Sequence, residues 1–90
     1  MKLLDKIRTV DFIDGYAMAE IPVPPSFVGK SIKEIQMRSR YGVNILMIKR
    51  MTDDEKFQQI VPSANEILRP TDKLILLGKN KEIQIFKHIG

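Results

Sequence analysis

The fold is decided by the stretch SIKEIQMRSRYGVNILMIKR, which occupies residues 31–50. Ser31 and Glu34 predict a capping box, in which each side chain bonds to a free backbone amide at the start of a helix. Gly42 suits the left-handed conformation that commonly ends helices. The run VNILMIKR that follows has few polar interruptions, which is typical of a strand covered on both faces. The stretch therefore predicts a helix followed by a buried strand.

Further strands and a second helix are predicted around this stretch. Apolar residues alternate before it, and Pro22 places that strand near a sheet edge because proline cannot donate to a ladder. We expect Gly78 to stop the last strand and Asn80 to cap the last helix. These elements are strands over 17–23, 57–61 and 73–77 and a helix over 81–88. The order β-α-β-β-β-α indicates a small α+β domain with both helices on one face of a mixed or antiparallel sheet.

The first 15 residues have a different pattern. Leu3, Ile7 and Val10 recur at helical spacing, but so short a stripe would not hold a helix in isolation. Gly15 then breaks the pattern. We interpret residues 1–15 as a helical linker from a preceding domain and residues 16–90 as the domain proper.

Length and composition are those of one small domain. A chain of 90 residues lies in the single-domain range. It buries only about 60–65% of its unfolded surface, so an oligomer interface would add to its stability. The absence of cysteine excludes disulfides, zinc ribbons and thiol catalysis. The apolar runs are far shorter than the ~18 residues of a membrane span, so we expect a cytoplasmic domain without direct membrane insertion.

The net charge of +4, from 15 basic and 11 acidic residues, is spread along the chain. Basic and acidic residues are interleaved, and aromatic residues make up only 7% of the sequence. Binders of single-stranded nucleic acid combine clustered positive charge with stacking aromatics. The pattern therefore indicates a solvated, mildly basic surface and no nucleic-acid polymer as partner.

The residue types needed for catalysis are scarce. His88 is the only histidine, and its place at the end of the last helix suits a charge that complements the helix dipole. Without a cysteine or a histidine among partners, no nucleophile–base arrangement is available. The acidic residues at 53–55 indicate a solvated turn, because adjacent carboxylates rarely share one ion. We predict no catalytic residue, no metal site and no enzymatic activity.

Arg38 and Asn44 form the most informative pair of polar residues. Arg38 offers a planar fork for phosphate or carboxylate, and Asn44 offers an amide suited to a base edge or to backbone groups. A structural alternative is that Arg38 and Arg40 satisfy the last carbonyls of their own helix. The apolar strand around Leu46 and Ile48 has an outer face that would suit a partner chain.

Several motifs stand in the order and spacing of one protein family. They are GKS at 29–31, RYGV at 40–43, IKR at 48–50 and PTDKLILLG at 70–78. With these motifs, residues 16–89 resemble the C-terminal domain of regulators of conductance of potassium (RCK), also called the TrkA-C domain. The sequence departs from the family at Thr71, since a glycine usually stands just before the aspartate. That difference alters a turn without threatening the fold.

The resemblance implies a dimeric module that senses a ligand. In this family the domain follows a Rossmann-type nucleotide-binding domain in cytoplasmic gating subunits of potassium channels and transporters, or it ends an antiporter. Residues 1–15 would then be the connection to such a domain. No glycine-rich dinucleotide fingerprint occurs here, so NAD and ATP are not assigned to this chain and no cofactor is expected.

Some members of the family bind cyclic di-AMP between two C-terminal domains, through an arginine and an asparagine six residues later. Arg38 and Asn44 stand at that spacing, with Ile32 and Leu46 as candidate apolar contacts. The resemblance implies that Arg38 pairs with a phosphate and Asn44 reads an adenine edge, in two copies related by a two-fold axis. The alternative is a purely structural dimerisation module without a small-molecule ligand.

Overall fold

Five strands and two α-helices make up the computed structural model, which describes residues 8–11 and 13–88. The strands are β1 (Arg8–Asp11), β2 (Tyr16–Pro22), β3 (Val43–Met51), β4 (Phe57–Ile60) and β5 (Lys73–Lys79). The helices are α1 (Ile32–Ile35) and α2 (Asn80–Lys87), with 3₁₀ turns at Ile13–Gly15 and Pro25–Phe27 and a π-helical turn at Met37–Tyr41. None of these helices is long or apolar enough to cross a membrane.

The strands form one sheet in the order β1-β2-β5-β3-β4, and every neighbouring pair is antiparallel. The predicted α+β class and the order of the predicted elements are confirmed. The first strand, β1, is an addition to that order. Residues 8–11 pair with β2 as a strand, so the helical interpretation of the first segment is wrong there, and residues 1–7 lie outside the described part of the chain.

Strand β2 is an interior strand, which corrects the prediction of an edge position. It lies between β1 and β5. Pro22 is its last residue and is paired with Lys73 of β5, whereas the described pairing with β1 extends only to Glu20. The missing N–H of Pro22 therefore falls beyond the described ladder to β1, and the proline is tolerated at the end of an interior strand.

The core lies between the sheet and the helices. Buried side chains alternate along β2 and β5, and Ile83 and Phe86 of α2 belong to the same buried cluster, as does Ile35 of α1. Phe86 meets the rings of Phe27 and Tyr41 edge-on, with centroids 5.5 and 5.6 Å apart. Burial of each large apolar side chain stabilises the fold by about 1.5–3 kcal/mol, so this cluster holds α2 and the segment around α1 on one face of the sheet.

The helix predicted after Ser31 is confirmed at its start and broken soon after. Ser31 Oγ accepts the amide of Glu34 at 3.1 Å, and Glu34 Oε1 accepts the amide of Ser31 at 2.8 Å, as expected for a capping box. The chain then turns left-handed at Gln36, with φ of 59°. Ile35 and Met37 are both buried, and residues two apart do not share one face of a continuous helix. The break lets both side chains reach the core.

Gly78 lies inside β5 rather than ending it, which corrects the prediction of a strand end there. It is paired with Ala17 of β2 and Val43 of β3. A Cβ at this position would lie 2.8 Å from Val43 Cγ1, so the glycine permits close approach of β3. Helix α2 begins at Asn80, its N-cap residue is Lys79, and no side chain caps it. The prediction of Asn80 as the cap is therefore wrong.

Candidate functional site

A cleft of about 640 Å³ lies beside the first half of β3. Its walls come from α1, the π-helical turn, the start of β3 and the segment 62–64, and we call it the α1–β3 cleft. Three of the four predicted site residues, Ile32, Arg38 and Asn44, line it together. Its volume falls in the range of ~300–1,000 Å³ that is usual for small-molecule sites.

The π-helical turn brings Arg38 to the cleft. The turn is bounded by left-handed residues, Gln36 with φ of 59° and Gly42 with φ of 74°. Met37 is buried beneath it, while Arg38 is exposed at the cleft wall. The carbonyl of Arg38 accepts the amide of Gly42 at 3.1 Å. The Arg38 carbonyl at the end of the turn is therefore satisfied by a backbone amide and needs no arginine side chain. Within the described residues the Arg38 guanidinium makes no hydrogen bond or ion pair.

Arg40 lies outside this cleft despite being two residues from Arg38. Its guanidinium carbon is 5.8 Å from the centre of the Tyr41 ring, a cation–π distance. Arg40 lines a separate depression of about 240 Å³. The carbonyl of Gln36 accepts the backbone amide of Arg40 at 2.9 Å, so here too the helical carbonyl is satisfied by backbone.

The start of β3 places Asn44 in the cleft and Leu46 outside its lining. Asn44 is exposed and pairs with Leu77 of β5. The register between β3 and β5 shifts between Ile45 and Met47, which identifies a bulge at Leu46. Leu46 is 41% exposed and is not among the residues that line the cleft. The bulge could not be read from the alternation of the sequence.

Segment 62–64 forms one wall of the cleft, and the sequence pattern did not predict its position there. No helix or strand was predicted for this segment, and the amide of Lys33 donates to the carbonyl of Ala64 at 2.9 Å. The amide of Ile32 donates to the carbonyl of Glu66 at 3.0 Å. The first amides of a helix need acceptors from outside the helix, so the sequence did indicate that some other segment must lie against the start of α1. It did not identify which distant segment would supply them.

The α1–β3 cleft combines positive charge with apolar surface. Arg38 and Lys33 supply two cations, and among the lining residues in the described chain none is acidic. Ser39 and Gln36 add neutral hydrogen-bonding groups, and the remaining lining residues are Ile32, Met37, Asn44, Ile45, Pro62, Ser63 and Ala64. Such a lining suits an anionic ligand that also carries flat apolar surface.

An ion cluster outside the lining of the cleft joins the buried Arg50 and Asp72 to the partly buried Glu66. Arg50 Nε and Nη2 donate to the two carboxylate oxygens of Asp72 at 3.0 and 2.9 Å, and Nη1 donates to Glu66 Oε2 at 2.8 Å. The hydrogen bonds to Asp72, more than the charge of Glu66, raise the pKa of the Arg50 guanidinium above its ordinary value despite its burial. We call these three residues the Arg50 cluster.

Known proteins are similar to this chain in sequence. The family model of the TrkA-C domain matches residues 17–89. Ktr system potassium uptake protein A of Bacillus subtilis (strain 168) is 31% identical over 84 residues, which are 93% of this chain and 36% of that protein. Ktr system potassium uptake protein C of the same organism is 27% identical over 78 residues, 87% of this chain and 34% of that protein. The chain thus spans about a third of the length of these relatives.

Solved structures of RCK domains have the same fold. The RCK C domain of the potassium transport protein KtrA, in complex with cyclic di-AMP, superposes with a TM-score of 0.70 at 29% identity and covers 82% of both chains. The GsuK RCK domain gives a TM-score of 0.66 at 32% identity over 81% of this chain and 16% of that one. Since the family model spans most of the sequence and the fold agrees, the chain belongs to the TrkA-C domain family.

Proposed function

We propose that this domain is a regulatory module of a potassium transport system and that it binds cyclic di-AMP between two copies of itself. The observation that carries the proposal is the meeting of Ile32, Arg38 and Asn44 in one cleft. A solved relative of the same fold, the RCK C domain of KtrA, was determined with cyclic di-AMP. That ligand carries two phosphates and two adenines, which match a cationic cleft with apolar walls.

Each group of the ligand has a complementary group in the cleft. The Arg38 guanidinium pairs with a phosphate through two parallel N–H···O bonds, and it has no competing partner in the described part of the chain. Lys33 supplies a second positive charge at the same cleft. The Asn44 amide both donates and accepts, so it reads an adenine edge, while Ile32 and Pro62 contact the base.

Two copies of the chain suit a ligand with two-fold symmetry. A dimer about a two-fold axis presents the same patch from each subunit, so each cleft would take one phosphate and one base. The strand pairing supports an interface close to the cleft, because β4 pairs only with residues 48–51 of β3. Residues 43–47 have no partner on that side among the described strands.

The wider role of the module is also part of the proposal. The relatives named potassium uptake proteins are about two and a half times as long as this chain. We infer that the chain is joined to a nucleotide-binding domain on the N-terminal side of β1 and that the full protein acts in the cytoplasm on a membrane channel or transporter subunit for potassium. Binding of cyclic di-AMP would then bias that subunit through the dimer.

Titration calorimetry with cyclic di-AMP tests the ligand, with two arginine variants as a matched pair. We expect Arg38→Ala to weaken binding by about tenfold to a hundredfold, since a hydrogen bond to a charged group contributes about 1.5–3 kcal/mol. Arg40→Ala removes a similar charge two residues away and should leave the affinity unchanged. Equal affinity of Arg38→Ala and the unmodified domain would contradict the assignment of the site.

The same samples separate the two functional hypotheses. If the unmodified domain is a dimer in light scattering and releases no heat with cyclic di-AMP, the purely structural dimerisation module is the correct interpretation. If it is a dimer that binds one cyclic di-AMP per two chains, the ligand-sensing function is supported. A stoichiometry of one ligand per chain would contradict a site shared across the two-fold axis.

A further inference from the structure

We propose that the Arg50 cluster positions the wall of the α1–β3 cleft formed by segment 62–64 and thereby sets the affinity for the ligand. This inference rests on the proposed function for its ligand, but the positioning itself is a property of the chain alone. The residues concerned, Arg50, Glu66 and Asp72, lie outside the lining of the cleft. They act on the ligand only through the segment that they hold.

Burial and hydrogen bonds fix the relative positions of the side chains in the Arg50 cluster. Arg50 is 6% exposed and Asp72 is 1% exposed, and all three nitrogen atoms of the guanidinium donate hydrogen bonds. Asp72 Oδ2 also accepts the amide of Arg69 at 2.9 Å. Such a planar, bidentate pair is strongly directional, and burial strengthens the electrostatic preference for that arrangement. Arg50 therefore holds its partners in defined positions relative to β3.

Two hydrogen bonds join the Arg50 guanidinium to residues 66 and 67, which follow the cleft wall in the chain. Nη1 donates to the carboxylate of Glu66 at 2.8 Å, and Nη2 donates to the carbonyl of Ile67 at 2.9 Å. The amide of Glu66 in turn donates to the carbonyl of Ser63 at 3.1 Å. Ser63 lines the cleft, so the chain of contacts runs from the buried guanidinium to the wall through one residue, Glu66.

The held segment also fixes the opposite wall. The amide of Ile32 donates to the carbonyl of Glu66, and the amide of Lys33 donates to the carbonyl of Ala64. Both donors belong to residues that line the cleft. Arg50 and Asn44 lie on the same strand, β3. The cluster thus sets the distance between segment 62–64, the start of α1 and the strand that presents the Asn44 amide.

Glu66→Ala is the informative variant, because it removes the hydrogen bond between Arg50 Nη1 and the Glu66 carboxylate and leaves the buried Arg50–Asp72 pair intact. Glu20→Ala is the matched control, because it removes another partly buried ion pair, Lys49–Glu20, whose atoms lie 3.3 Å apart. Neither residue lines the cleft. The measurements are the calorimetric affinity for cyclic di-AMP, the thermal midpoint without ligand, and NMR hydrogen exchange at the amides of Ile32 and Lys33 without ligand.

We expect Glu66→Ala to weaken cyclic di-AMP binding by about tenfold, the size of one charge-assisted hydrogen bond, and to speed exchange at both amides. Glu20→Ala should leave affinity and exchange unchanged at a comparable thermal midpoint. Glu66→Gln keeps an acceptor oxygen and should restore part of the affinity.

Unchanged exchange at Ile32 and Lys33 in Glu66→Ala would overturn the positioning role whether or not any ligand binds. Faster exchange with unchanged affinity would overturn the effect on binding. If the unmodified domain releases no heat with cyclic di-AMP, the proposed ligand fails, and the exchange rates alone then decide whether the Arg50 cluster holds the wall.

Discussion

Replacing Gly78 by alanine tests the close approach of β5 and β3 at this glycine. The added Cβ would lie 2.8 Å from Val43 Cγ1 and 3.3 Å from the carbonyl oxygen of Gly42. Attractive carbon–carbon contacts occur at about 3.5–4.0 Å, so the contact with Val43 is repulsive. Val43 is fully buried, and its β-branched side chain has little freedom to rotate away. Either the side chain must leave its rotamer or β3 must move away from β5.

The expected cost follows from two opposing effects. Overpacking a buried site destabilises by about 1–3 kcal/mol. Alanine in a strand is otherwise favoured over glycine by roughly 0.5–1 kcal/mol, because glycine loses more backbone freedom on folding. The clash is the larger effect, so Gly78→Ala should lower the free energy of unfolding by about 1–2 kcal/mol.

Urea denaturation of the unmodified domain and three variants, at one fixed protomer concentration, measures this cost as a double-mutant cycle. Val43→Ala removes Cγ1 and should itself destabilise the domain by leaving a cavity. In that background Gly78→Ala should be close to neutral. The reasoning is refuted if Gly78→Ala is as stable as the unmodified domain, or if its cost is the same with valine and with alanine at position 43.

Three further predictions concern charge, pH and ligand. Asp72→Ala removes the carboxylate that pairs with the buried Arg50 guanidinium, so it should lower the free energy of unfolding, measured by urea denaturation, by about 3–5 kcal/mol. A decrease below about 1 kcal/mol, as expected for an exposed ion pair, would contradict the role of burial. The hydrogen bonds from Ser31 lower the pKa of Glu34 from its ordinary value of 4.5, so the stabilisation is present above that value and is lost as pH falls through the lowered pKa. The difference in thermal midpoint between the unmodified domain and Glu34→Ala should therefore shrink from pH 7 to pH 3, and a constant difference would argue against the capping carboxylate. Cyclic di-AMP at 100 times its dissociation constant should add ~2.7 kcal/mol to the free energy of unfolding, measured by thermal shift, and an unchanged midpoint would contradict binding to the folded state.

Local sequence signals were reliable where one short segment satisfies its own requirements. The capping box of Ser31 and Glu34 formed as predicted because both partners lie within one turn of helix. The left-handed conformation at Gly42 was predicted for the same reason. Arg38 and Asn44 line one cleft, since the turn and the strand that carry them are adjacent in the chain, and their role in ligand binding stays a prediction.

Predictions failed where a distant segment decided the conformation. Gly78 was interpreted as a strand end, but its role is set by Val43, which is 35 positions away in the chain and paired with it across the sheet. Pro22 suggested an edge, but β1 covers most of that strand. The bulge at Leu46 is a further feature that local alternation did not predict, and it lies outside the lining of the cleft. The role of Leu46 as an apolar contact for the ligand stays a prediction.

The sequence by itself therefore determined the α+β class, the order of the predicted elements, the start of the capped helix and the family. Those features depend on local hydrogen bonds and on motifs contained in short segments. Only the tertiary structure decided that segment 62–64 forms a wall of the cleft and that Arg50 is held between Asp72 and Glu66. The contacts responsible join residues 16 or more positions apart, and their formation depends on how the whole sheet packs rather than on any local preference of the chain.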